Sequence, residues 1–261
     1  MFIALLIVGL AAGVLSGMFG IGGGVVIVPI LTSFFGFTLQ QAVGTSLAAL
    51  LMPVGILAVV EYYRAGKLKI GVALLVAIGL TVGALFGARL ALGLPTDTLQ
   101  RLYALFLLYA AWRFAEPRRW FAEWQRARRG ETAPRAEVEA SVSAPWYVLL
   151  ALGLGAGVIS GMFGVGGGIV IVPALVGLLK FDQKLAVGTS LGALLLPVGL
   201  GGVLEYYNAG LLEIGTALAV ALGLLIGALF GARLALGLSS TTIKRLYGIF
   251  LLFVAIRFLF F

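Results

Sequence analysis

The sequence predicts an all-α polytopic membrane protein built from two homologous repeats. Three observations lead there. First, 62% of the 261 residues are hydrophobic and 11% charged, whereas a soluble domain is nearer half apolar and a quarter charged. Second, the apolar stretches 43–60, 70–94 and 214–238 approach or exceed the ~20 residues that span a bilayer as a helix. Third, the chain repeats itself at an offset of 144 residues, the mark of a duplicated module. A membrane β-barrel would alternate apolar and polar residues over strands of about ten, and no stretch does so.

The repeat aligns without a gap. "SGMFGIGGGVVIVP" at 16–29 returns as "SGMFGVGGGIVIVP" at 160–173, and "VGTS" at 43–46 returns at 187–190. "PVG" at 53–55 and "EYY" at 61–63 recur at 197–199 and 205–207, and "GALFGARLALGL" is identical at 83–94 and 227–238. The chain therefore divides into an N-terminal membrane repeat, 1–115, a charged linker, 116–145, and a C-terminal membrane repeat, 146–261. The linker is expected in the cytoplasm, with Trp120, Phe121 and Trp124 as a short amphipathic piece on the membrane surface. A partly disordered tether is the alternative.

Each repeat offers four apolar segments. In the first they are 2–35, broken by glycines, then 43–63, 68–94 and 98–115. The second repeats them at 146–179, 187–207, 212–238 and 242–261. Helices over 2–16 and 25–35 would be about 22 Å and 16 Å long at 1.5 Å per residue, short of a ~30 Å hydrocarbon core. They are expected to dip in and return as a re-entrant pair, followed by three transmembrane helices. Three crossings per half make the halves inverted, whereas a first segment that spans once would give four crossings and parallel halves. Charge supports this. Arg64, Lys67 and Lys69 correspond to Asn208, Leu211 and Glu213, while Lys180, Lys184 and Lys244 replace Gly36, Gln40 and Gln100. Inversion puts 15 of the 18 Lys and Arg on the linker side and leaves Arg89, Arg101 and Arg257 opposite, as the positive-inside rule asks. Both termini are then outside. The N-terminal "MFIALLIVGL" lacks the basic region of a cleaved signal peptide.

The glycine breaks are the candidate site. Irregular backbone at membrane depth is tolerated where it is buried in protein or lines a cavity. A helix restarting after such a break offers unpaired N–H groups and about half a positive charge, a ready anion site. The candidate binding residues are Gly22, Gly23, Gly24 and Val25 with Gly166, Gly167, Gly168 and Ile169. Thr45, Ser46, Thr189 and Ser190 are candidate hydroxyl donors, with bonding to a helix carbonyl as the alternative. Pro53 and Pro197 are hinge candidates, since proline frees a carbonyl and kinks a helix.

The glycines at 79, 83 and 87 and at 223, 227 and 231 read as packing faces. Arg89 and Arg233 are expected to snorkel, and Glu61 and Glu205 to sit at the interface with tyrosine anchors. With no cysteine and no histidine, disulfides, thiolate metal sites and histidine bases are excluded. No enzyme, metal or cofactor is expected. The net charge of +8 reads as loop cations rather than nucleic-acid binding.

In its glycine runs ending in proline, its "AVGTS" segments and its "GALFGARLA" segments, the chain resembles the TauE/SafE family of membrane transporters. The resemblance spans both halves. It implies a permease exporting sulfite or organosulfonates, placed in the bacterial inner membrane. A carrier of a small sulfur anion is therefore expected, with an anion channel or a non-transporting scaffold as alternatives. The expected partners are the anion and the lipid bilayer, and the sequence leaves a homodimer open.

Overall fold

A computed structural model describes residues 1–115 and 144–237, with 252 and 256. Every regular element among the described residues is an α-helix. In chain order these are α1 (Phe2–Phe19), α2 (Gly24–Phe34), α3 (Leu39–Leu51), α4 (Ile56–Arg64), α5 (Ile70–Gly93) and α6 (Thr96–Ala115). After the linker come α7 (Trp146–Phe163), α8 (Gly168–Leu178), α9 (Gln183–Leu195), α10 (Leu200–Asn208) and α11 (Ile214–Gly237). The linker residues 116–143, with Trp120, Phe121 and Trp124, lie outside the described residues, as does nearly all of the last segment.

Local chemistry sets the ends. Gly20 closes α1 in the left-handed region (φ 70°), its N–H donating to the Ser16 carbonyl at 2.7 Å. Thr38 caps α3 through a reciprocal box with Gln41. Asp182 caps α9, accepting from the Lys184 and Leu185 amides. Partial burial works to raise the Asp182 pKa, but the Lys67 ammonium 2.8 Å away and those two amides outweigh it and hold the carboxyl below its usual range. The apolar segment 43–63 is not one helix. Met52 before Pro53 is extended (ψ 151°), the conformation proline imposes on its predecessor. The chain bends by 50° between α3 and α4, and by 49° between α9 and α10 around Pro197.

α1 is longer than expected. It continues through Gly17 to Phe19 and has 18 residues, because Gly17 is a packing glycine rather than part of the break. Length alone therefore makes α1 a candidate span, with α5, α7 and α11, and up to six spans result among the described residues if each bent pair counts as one. The lipid-facing surface is legible on the long helices. Ile70, Leu74, Ile78, Val82, Phe86 and Leu90 are all exposed along α5, a stripe about 30 Å long that matches the hydrocarbon thickness.

Met1–Thr96 and Ser141–Leu238 form one compact unit, in which the two sequence halves interleave. α1 packs along α11 and α5 along α7. Gly9 meets Val220, Gly13 meets Leu224 and Gly17 meets Ala228, so α1 and α11 run in the same direction. Gly79, Gly83 and Gly87 meet Leu150, Leu154 and Val158 in the same way on α7. A Cβ at any of these glycines would overlap a carbonyl oxygen of the facing helix, so the backbones are in direct contact.

Ion pairs tie the ends. Arg233, near the end of α11, holds Glu61 near the end of α4 (2.9 Å). Arg89, near the end of α5, holds Glu205 near the end of α10 (2.9 Å). The arginines are paired rather than merely snorkelling. Each long helix thus ends beside the loop where the other begins. Within the second unit, α6 buries Leu99, Tyr103 and Leu107 in a row and exposes Leu105 and Trp112.

The helix contacts predict a sharp contrast among glycines. Gly83→Ala and Gly227→Ala each force two backbones apart and lower stability by about 1–3 kcal/mol or more. Gly71→Ala, where nothing lies within 4 Å of the new Cβ, gains up to about 1 kcal/mol. Thermal unfolding in detergent measures the contrast.

Candidate functional site

The two glycine breaks meet. Gly22 and Gly23 have φ of 83° and 81°, and Gly166 and Gly167 have 78° and 75°. These left-handed values suit glycine and turn the chain directly from α1 into α2 and from α7 into α8. A Cβ built on Gly22 would lie 3.2 Å from the Gly166 Cα, and the reverse distance is also 3.2 Å. The turns therefore touch, and no ion-sized gap separates these two residues. Gly24 and Gly168 press on the carbonyls of Gly164 and Gly20 of the opposite turn. Among the described residues the amides of Gly22, Gly23, Gly24 and Val25 find no main-chain acceptor, nor do those of Gly166, Gly167, Gly168 and Ile169.

A small, partly open cavity of about 30 Å³ lies against this contact. Gly22 and Gly166 form part of its wall, with Ser16 from α1 and Ser160 from α7. Leu47 and Leu50 of α3 and Leu191 and Leu194 of α9 supply aliphatic sides. The proline breaks add Val54 and Gly55, Val198 and Gly199. Every lining residue is matched by another 144 positions away, so each half contributes equally. No charged side chain lines the cavity.

Of the hydroxyls singled out from sequence, none lines the cavity. Ser46 Oγ donates to the Gly164 carbonyl (2.9 Å) and Ser190 Oγ to the Gly20 carbonyl (2.8 Å). Thr45 Oγ1 accepts from the Glu213 amide (3.2 Å) and Thr189 Oγ1 from the Lys69 amide (3.1 Å). All four are buried and tie one half to the other. Pro53 and Pro197 stand at the breaks, next to the lining residues Val54 and Val198. The tyrosine pairs divide. Tyr63 and Tyr207 are exposed, whereas Tyr62 and Tyr206 are fully buried and donate to the carbonyls of Gly17 and Gly161 (3.0 and 3.1 Å). These two therefore brace the last turns of α1 and α7 instead of anchoring at an interface.

Sequence reasoning missed Ser16 and Ser160. The two residues are 5% and 2% exposed, and both line the cavity, where neither hydroxyl is sealed away without a partner. The available signal was their place as the first residue of each repeated motif, four before the left-handed Gly20 and Gly164.

The Ser46 and Ser190 bonds predict a stability effect. Ser46→Ala leaves the buried Gly164 carbonyl without its donor, and Ser190→Ala does the same to Gly20. Each should cost about 1–3 kcal/mol, read as a lower unfolding temperature in detergent. An unchanged temperature in both variants contradicts the assignment.

Comparison with known proteins identifies a family of membrane transporters. The chain matches the family described as Sulfite exporter TauE/SafE over residues 5–258. It is 28% identical over 221 residues to a probable membrane transporter protein of Bacillus subtilis, covering 85% of each chain. It is 30% identical over 248 residues to one of Methanocaldococcus jannaschii, covering 88% of this chain and 85% of the relative. A probable membrane transporter protein of Xylella fastidiosa is 30% identical over 256 residues, 96% of this chain and 90% of that one. No solved structure matches. With its long apolar helices and a family match spanning nearly its whole length, this chain is a multi-pass membrane protein that belongs to the TauE/SafE sulfite exporter family.

Proposed function

We propose that the chain is a secondary transporter that moves a small sulfur-containing anion, sulfite or an organosulfonate, by alternating access. The observation that carries this reading is the meeting of two glycine-turn helix starts beside one cavity lined equally by both halves. Discontinuous helices whose N-termini face a midplane cavity suit an anionic substrate. The unpaired amides of Gly22–Val25 and Gly166–Ile169 and the two helix dipoles supply the attraction. Thr45, Ser46, Thr189 and Ser190 hold the turns and loops in place around the anion.

In this reading the halves are inverted repeats. The support is directional. α1 runs with α11 and α5 with α7, while α5 ends where α11 begins and the reverse. α1 and α2 act as a re-entrant pair. α1 starts alongside the start of α11, and Gln40 at the start of α3 donates to the Ala91 carbonyl at the end of α5 (3.1 Å). Both outer ends then belong to one face. Lys184 makes the matching bond to the Leu236 carbonyl (2.7 Å). Arg64, Lys67, Lys69, Lys184 and Arg233 gather at the other end, which the positive-inside rule assigns to the cytoplasm with the linker. The termini then lie outside.

The glycine contacts also define what moves. α1 is locked to α11 and α7 to α5, so each rocking body mixes helices from both halves. The breaks at Pro53 and Pro197 flank the cavity and serve as hinges between the bodies.

The test is flux of radiolabelled sulfite into proteoliposomes, with unlabelled anion trapped inside. The expected result is saturable uptake that the trapped anion accelerates. Uptake that never saturates and ignores the trapped anion contradicts a carrier and points to a channel. No uptake of sulfite or of any sulfonate by folded protein overturns the reading.

A further inference from the structure

Among the described residues, the loops at the end assigned above to the cytoplasm carry cations that no acid answers. Arg64 ends α4, Lys67 and Lys69 lie in the loop to α5, and Lys180 and Lys184 flank the start of α9. Lys67 Nζ holds Asp182 at 2.8 Å, and the Lys69 amide donates to Thr189 Oγ1 of α9 at 3.1 Å, so the two loops lie together. Glu61 is taken by Arg233. Arg64, Lys69, Lys180 and Lys184 have no carboxylate partner among the described residues. The equivalent positions on the opposite face are Asn208, Glu213, Gly36 and Gln40, with no cation among them. Orientation in the membrane asks for a surplus of cations on one side, but it does not ask for any particular place within a loop.

Lys180 occupies a place that disfavours it. Its φ is 55°, and it is the only non-glycine among the described residues with positive φ. The first repeat makes the same turn with Gly36 at φ 72°. In this region a side chain crowds the following carbonyl, which glycine avoids. Leu179 and Phe181 on either side are buried and pin the turn, so Lys180 is held exposed between them. Strained residues of this kind cluster at ligand sites. The neighbours of the cations say which ligand. Exposed Tyr63 precedes Arg64, exposed Ile70 follows Lys69, and exposed Leu178 stands two residues before Lys180. From Ile70 the exposed stripe runs on along α5 through Leu74 and Ile78. The cations therefore stand at the rim of the lipid-facing surface, at the headgroup depth where tyrosine also settles.

We propose that Arg64, Lys69, Lys180 and Lys184 form a binding site for an anionic phospholipid of the inner leaflet. The phosphate lies among these cations, around the Lys67–Asp182 pair, and an acyl chain lies along Ile70, Leu74 and Ile78. Attraction between basic residues and anionic headgroups acts within about a Debye length of the surface. The opposite face, with Glu213 in place of Lys69, holds no such lipid. The site is apart from the cavity and independent of what the protein transports. Because its cations come from the loop after α4 and from the start of α9, the bound lipid bridges the two repeats.

The test is binding of fluorescent phosphatidylglycerol to the purified full-length protein in a nonionic detergent. Unlabelled phosphatidylglycerol, phosphatidylcholine and inorganic phosphate serve as competitors. Binding should be saturable and weaken with added salt. Phosphatidylglycerol should compete at least about tenfold better than phosphatidylcholine, and phosphate at the same concentration should displace little. Lys180→Gly should weaken binding by about three- to tenfold, while the unfolding temperature of the lipid-free protein stays level or rises, because glycine relieves the turn. Arg64→Asn, Lys69→Gln, Lys180→Gly and Lys184→Gln together should abolish the preference between the two lipids. Equal competition by the two lipids in the wild type overturns the proposal. Displacement by phosphate as effective as by phosphatidylglycerol assigns the cations to a soluble anion and overturns the lipid. A preference that survives in the folded fourfold variant overturns the role of these residues. If that variant does not fold, unchanged affinity in Lys180→Gly decides the same point.

Discussion

Backbone contact between glycine-lined helices is the constraint on which the rest of the structure depends. Along α1 and α11, and along α5 and α7, the facing surfaces are so close that a single methyl group would strike a carbonyl. Lipid tails are as apolar as leucine, so burial of apolar surface gives such helices little reason to associate. Close van der Waals contact over several turns does. It also fixes rotation and register, because glycine stripes match in only one alignment. From that alignment follow the position of the two turns, the aim of Ser16 and Ser160, and the interleaving of the halves into one unit.

Polar bonds then finish what packing begins. A chain broken at membrane depth leaves carbonyls and amides without partners. Four carbonyls are answered by side chains: Ser46 and Ser190 serve the left-handed glycines across the repeat, and Tyr62 and Tyr206 serve Gly17 and Gly161 within their own halves. The amides at the starts of α2 and α8 have no acceptor of this kind. Among the described residues the turns keep free donors, and the carbonyls of Ile21, Gly22, Val165 and Gly166 are unpaired as well. A family of sulfite exporters is a setting in which leftover donors have a use.

Much of this was legible in the sequence. The repeat, the apolar segments, the glycine packing faces and the location of the breaks all follow from spacing. The α1 terminus was misplaced because Gly17 reads like the glycines of the turn, while its contact with Ala228 keeps it helical. Other features depend on residues more than a hundred positions apart. The pairing of Arg89 with Glu205 and of Arg233 with Glu61 is invisible to local pattern, as is the bonding of Ser46 to Gly164. Ser16 and Ser160 were passed over for the opposite reason. A serine inside an apolar helix ordinarily bonds its own carbonyl one turn back, and only the cavity distinguishes these two.

The central claim is that two inverted repeats, locked together by glycines, build one site from both sides of the membrane. The chain has no cysteine of its own, so single cysteines report without background. Ala65 and Ala209 are equivalent, exposed, and free of positive φ. The most direct measurement is labelling of Ala65→Cys and Ala209→Cys by a membrane-impermeant thiol reagent, in intact cells and in inverted vesicles. Inversion predicts that Ala209→Cys labels in cells and Ala65→Cys in inverted vesicles. Labelling of both from the same side would contradict the account.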